Sequence, residues 1–149
     1  MNAPSPAICI ETDLFLFEAP SGWQVENLGE QAELIGPNDE LLVLSSYEAD
    51  ANSDSKTLDD FSKNIISAMQ SAADEPDLVL SDKLSKEVTP NGLPVWKLLA
   101  HTTDNEAFFD QYVAISGTTA VLVSVEGDLP DRASSALVEE SVYCLEFKA

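Results

Sequence analysis

The chain has 149 residues, 44% hydrophobic and 23% charged, the size of one domain and the composition of a packed chain rather than a disordered one. Its 27 acidic residues outnumber 7 lysines and arginines, for a formal net charge of −20. That balance argues against nucleic acid and anionic membrane surfaces as partners and favours a basic protein. The opening 1–6 reads as a loose start. Apolar stretches follow at 7–10 and 14–17, then the turn Ala19-Pro20-Ser21-Gly22-Trp23. Residues 31–36 and 41–47 predict a hairpin around Gly36-Pro37-Asn38-Asp39, four turn-forming residues. The polar stretch 48–56 reads as a loop. A helix is expected over 57–73, because Leu58, Phe61, Ile65 and Met69 recur at three- and four-residue intervals behind a Thr57-x-x-Asp60 start. Strands are expected at 77–88, 93–102, 106–115 and 118–126, with short separators that call for an antiparallel meander. A last helix is expected over 132–143, capped by Asp131, with Ala133, Leu137 and Cys144 inward beside Val138 and Ser141.

These elements describe one α+β domain over 1–149. The expected architecture is an antiparallel sheet of about five to seven strands with two helices packed on one face. No basic start with an apolar run marks a signal peptide, and no stretch has the length of a membrane span, so a cytoplasmic protein is expected. The two cysteines, Cys9 and Cys144, have neither CxxC nor metal-ligand spacing and read as buried apolar fillers.

Little in the sequence points to catalysis. His101 is the single histidine and Arg132 the single arginine, which leaves no triad, no zinc set and no clamp for a phosphate. Asp50-x-x-x-Asp54 lacks the glycine and terminal glutamate of a calcium loop. No phosphate-binding or nucleophile loop occurs, so no catalytic residue, metal or cofactor is assigned. Trp23, Phe61, Phe109 and Phe147 read as core. Trp96, Phe108, Asp110 and Tyr112 are candidates for a less covered sheet face.

The acids are the informative feature. Eleven carboxylates lie between Glu11 and Asp54, and no lysine or arginine precedes Lys56. The partner-binding candidates are Glu26, Glu30, Glu33, Asp39, Glu40, Glu48, Asp50 and Asp54, expected to be exposed around the 31–47 hairpin and the loop after it.

The element order resembles the superfamily of PsbP-like, DcrB-like and Mog-type Ran-binding proteins. The residues that carry this are Phe15-x-Phe17-x-Ala19-Pro20-x-Gly22-Trp23, the helix start at Leu58-x-x-Phe61, the Asn91-Gly92-Leu93-Pro94 turn before Trp96, and the C-terminal helix ending in Phe147. The resemblance spans about 12–147. It implies a protein-binding role and fixes no functional residue, since fold does not decide function. Joined to the acidity, it leads to the expectation of a bacterial inhibitor or immunity protein that masks a basic toxin or effector. The alternatives are an Eag-type chaperone or adaptor of a type VI secretion effector and an enzyme with an unrecognised site. Partner identity and oligomeric state stay open.

Overall fold

The computed structural model describes residues 8–50, 52, 54–81 and 83–148; the loose start expected over 1–6 lies outside them. The first strands are β1 (Cys9–Glu11), β2 (Phe15–Glu18), β3 (Gln24–Leu28), β4 (Ala32–Ile35) and β5 (Leu41–Glu48). Helix α1 (Ser55–Ala73) follows, then β6 (Leu78–Leu80), β7 (Ser85–Val88), β8 (Pro94–Thr102), β9 (Ala107–Ser116) and β10 (Thr119–Asp128). A short turn of 3-10 helix, Leu129–Asp131, leads to α2 (Ala133–Tyr143) and β11 (Glu146–Phe147).

The meander from β8 to β10 forms as expected, and β5 pairs with the far side of β10, Leu42 opposite Val125 and Leu44 opposite Val123. The main sheet has eight antiparallel strands in the order β3-β4-β5-β10-β9-β8-β6, with β7 also paired to β8. A second antiparallel sheet, β1-β2-β11, stands apart from it. The α+β class and antiparallel sheet agree with the sequence reading; the strand number exceeds it. One strand expected at 77–88 is two, β6 and β7, and β3 was not foreseen. All five residues of β3 are exposed, so it lacks the buried alternation by which a strand is recognised.

The helices do not share a face. Successive side chains of a strand point oppositely, and β9 is apolar on both sides. On one side Val113 and Ile115, with Leu98 and Ala120, receive Ile65, Met69 and Ala73 of α1. On the other, Phe108, Tyr112 and Ala114 pack with Val121, Val123, Val138 and Val142, so α2 lies there beside the small sheet. A central strand buried on both faces needs two covers, and each helix supplies one. Phe108, Asp110 and Tyr112 therefore lie buried under α2, while Trp96 packs on the α1 side. Each well-buried aliphatic side chain contributes about 1.5–3 kcal/mol against exposure.

The inward residues of α2 are Ser134, Ser135, Val138 and Val142, whereas Leu137 is exposed. The stripe is shifted because Val138 and Val142, one turn apart, meet the sheet, and Ser135 meets Tyr112. Arg132, with no side-chain cap bond, stands where Asp131 was expected to cap. Both cysteines are exposed, contrary to the buried reading.

Helix α1 starts two residues earlier than expected, capped by Asp54, whose Oδ1 accepts from the Thr57 amide at 2.8 Å. That amide holds the Asp54 carboxyl below its usual range, so the charged form is favoured in the folded chain. A depressed carboxylate stabilises above its unfolded pKa and loses that contribution as pH falls through the folded one. Asp54→Ala should therefore lower the urea midpoint at neutral pH, and the gap to wild type should close in acid. Parallel urea titrations at the two pH values check this; a gap that persists in acid would show that the cap acts otherwise.

Candidate functional site

The eight candidate acids divide into five that are exposed or half-buried, one buried residue and two set apart. Glu26 sits at an irregularity of the edge strand, where pairing with β4 shifts between Val25 and Asn27. Glu30 is in the exposed β3–β4 turn, and half-buried Glu33 stands opposite Asn27 on one side and Val43 on the other. Glu48 ends β5, opposite Thr119, and Asp50 follows, its Oδ1 accepting from the Asn52 amide at 2.9 Å. Asp39 lies in the β4–β5 turn, past the opposite end of a strand about 13 Å long. Its φ of 65° is one that aspartate tolerates better than most side chains. Asp54 is occupied as the helix cap.

Glu40 is the clear correction. It is 0% exposed and cannot reach a partner. The alternation that turns Leu42 and Leu44 inward turns Glu40 inward as well. Its Oε1 accepts from the Asn38 amide at 2.6 Å, and its Oε2 has no hydrogen-bond partner among the described residues. Gly36 and Gly127 make room for it. A Cβ at Gly36 would lie 2.8 Å from Oε1, and one at Gly127 3.0 Å from the Glu40 Cγ.

The cations that form salt bridges do so with other acids. Lys63 bonds Asp59, Lys97 bonds Glu139, Arg132 bonds Asp110 and Lys148 bonds Glu11, while Lys86 stands 5.0 Å from the Trp96 ring centre. None of Glu26, Glu30, Glu33 and Glu48 forms a salt bridge among the described residues. The β3–β4 edge and the adjoining end of β5 thus carry unneutralised carboxylates.

The densest polar chemistry lies under α2, and the sequence reading missed it. Arg132 donates to both Asp110 oxygens, at 2.7 and 3.3 Å, and to the Ala100 carbonyl at 3.3 Å. The Tyr112 hydroxyl meets Ser135 Oγ at 2.6 Å, and Lys97 donates to Glu139 at 2.8 Å. Tyr143 bonds both Glu139 and Glu87; burial first, and these two carboxylates next, push its hydroxyl pKa up. Burial raises Tyr112 as well. Each group is engaged with another, which suits a brace fastening α2 to the sheet better than a reaction centre. The signal available was Asp110 and Tyr112 alternating in register with inward Phe108 and Ala114. His101 Nδ1 is 2.6 Å from Ser81 Oγ. Among the described residues no three His, Cys, Asp or Glu side chains converge to hold a metal ion, and no helix is long and apolar enough to cross a membrane.

The described residues leave several hollows on the surface. One of about 690 Å³ lies between the C-terminal half of α1 and the β6–β7 segment, and one of about 520 Å³ beside Asp39, Phe109 and Glu126. A narrower crevice of about 440 Å³ opens between the two sheets beneath Leu28.

The solution structure of cyanobacterial PsbP (CyanoP) from Synechocystis sp. PCC 6803 matches 99% of this chain and 95% of its own, with a TM-score of 0.63 at 13% identity. The fold is PsbP-like. A protein from Bacteroides thetaiotaomicron is matched over 91% of this chain and 45% of its own, with a TM-score of 0.47 at 15% identity. No family model and no curated protein matches the sequence. Of the residues that carried the resemblance, Phe147 was expected to end the C-terminal helix but lies in β11, after α2 stops at Tyr143; others hold structural places in the PsbP-like frame. Phe15, Phe17 and Trp23 are core, and Gly22 and Gly92 turn the chain at φ of 92° and 82°, where a Cβ would be strained.

Proposed function

We propose that this PsbP-like domain is a non-catalytic binding module that docks a basic protein against the acidic side formed by β3, β4 and the end of β5. The supporting observation is the lack of neutralisation: Glu26, Glu30, Glu33 and Glu48 lie there without a salt bridge among the described residues, while Lys63, Lys97, Arg132 and Lys148 bond other acids. An unneutralised carboxylate surface steers a basic partner and raises its association rate, and a net charge of −20 extends that effect over the molecule. An inhibitor or immunity protein that masks a basic toxin or effector is the form of this module that most needs fast capture.

Purification of the tagged chain from its native host should recover a basic protein. Its association rate should fall steeply with ionic strength, because the screening length is about 8 Å at physiological salt. The triple variant Glu26→Lys, Glu30→Lys, Glu33→Lys should associate about tenfold or more slowly at low salt and with a flatter salt dependence, at an unchanged melting temperature. Stopped-flow rates across a salt series make the measurement. Equal rates and equal slopes would reduce these acids to solubilising charge.

A further inference from the structure

The crevice between the two sheets combines features that the acidic surface alone does not explain. Its floor is apolar and buried, formed by Ile10 and Phe15 of the small sheet and by Ala32 and Leu44 of the main one. Its wall is Leu28, which is 64% exposed. The strand irregularity at Glu26 aims that wall. Val25 stands opposite Leu34 and Leu28 opposite Ala32, so two residues an odd number apart share the inner side, which regular alternation would forbid. An apolar side chain is thereby presented to the crevice mouth and left uncovered.

The polar side chains that line it are few: the Cys9 thiol, the Ser46 hydroxyl, Glu11, Thr12 and Glu30. The Thr12 hydroxyl accepts from the Leu14 and Phe15 amides, and Glu11 bonds Lys148. Glu30 lines the rim, Glu26 lies on the strand of Leu28, and neither has a salt bridge among the described residues. An apolar slot with the unpaired carboxylate of Glu30 at its rim and that of Glu26 on the strand beside it complements a chain segment that carries a large aliphatic side chain among lysines or arginines. It offers few fixed donors by which a small polar ligand would be oriented.

We infer that this crevice anchors one aliphatic side chain of a basic docking segment, with Leu28 closing over it and Glu26 and Glu30 holding the flanking cations. This rests on the binding role proposed above and adds the point of attachment, since a few buried anchors hold a complex that rim charges merely steer.

Two oligolysine peptides, one with a central leucine and one with alanine in its place, test it on the full chain under reducing conditions. The leucine peptide should bind about tenfold tighter, the gain expected from burying that side chain. It should also slow alkylation of Cys9, which lines the crevice, while leaving exposed Cys144, in a different hollow, reacting as before. Leu28→Ser, which changes no charge at an exposed position, should bring the leucine peptide down to the alanine peptide's affinity. Equal binding of both peptides with Cys9 unprotected would overturn the anchor and leave acidic docking standing. Failure of both peptides to bind at low ionic strength would overturn the two together.

Discussion

Arg132→Met is expected to lower stability by about 3 kcal/mol or more, because it leaves the Asp110 carboxylate buried without its cation. Asp110 has a side chain 1% exposed and takes two bonds from the guanidinium. The Arg132 side chain is 27% exposed, so partial solvent screening places the loss toward the lower end of what a buried pair shows. Its bond to the Ala100 carbonyl goes at the same time. The double variant Arg132→Met, Asp110→Leu should recover most of the loss, since an apolar pair of similar volume replaces a buried ion pair at little net cost. A double-mutant cycle by urea unfolding at neutral pH measures both effects. A loss under about 1 kcal/mol for the single variant would mean that water reaches the pair as it reaches a surface bridge.

Glu40→Lys should cost more than about 4 kcal/mol and leave little folded protein, a magnitude reached when a charge is forced into a packed interior. The position is fully buried, and Gly36 and Gly127 already yield space to the existing side chain. Glu40→Gln should be tolerated far better, because the amide oxygen keeps the Asn38 bond and the side chain keeps its shape and volume. Thermal unfolding of the two variants beside wild type gives the comparison. A stable Glu40→Lys protein would place the residue at the surface. The outcome also bears on partner mapping: reversing Glu40 would abolish binding by unfolding the domain and pass for the loss of a contact. Glu26, Glu30 and Glu33 carry no such ambiguity, being outside the core.

The difference between Glu40 and Glu33 shows where sequence reasoning worked and where it failed. The 31–47 hairpin was legible because turn formers at 36–39 stand between two apolar alternations. Which acids point outward depends on one residue of register. Alternation counted from Leu42 would have put Glu40 inside, but its place at the end of a polar turn argued the opposite. Met69 and Ile65 were legible as an inward stripe through their spacing. The side on which α1 lies was not, because Val113 and Tyr112 are both apolar enough to be covered, and nothing local to the helix chooses between them. Asp54 was read as exposed, which it is, yet the Thr57 amide three residues on occupies it. The crevice under Leu28 was beyond reach, since it requires an unforeseen strand, a shift within that strand, and a second sheet from distant parts of the chain.

That second sheet has a consequence for how the chain reaches its fold. β2 pairs with β11, Phe15 opposite Phe147, and β5 pairs with β10, Leu41 opposite Glu126. Both pairings join early to late segments, so loop-closure entropy is spent before the core rewards it. Such topologies fold in milliseconds to seconds rather than microseconds. During synthesis Leu42 and Leu44 stay open to water until β10 and α2 have emerged, a long interval in which paired strands of nascent chains could stick together. The carboxylates of the first third of the sequence, which no lysine or arginine there offsets, travel with those exposed strands, and their mutual repulsion keeps unfinished chains apart.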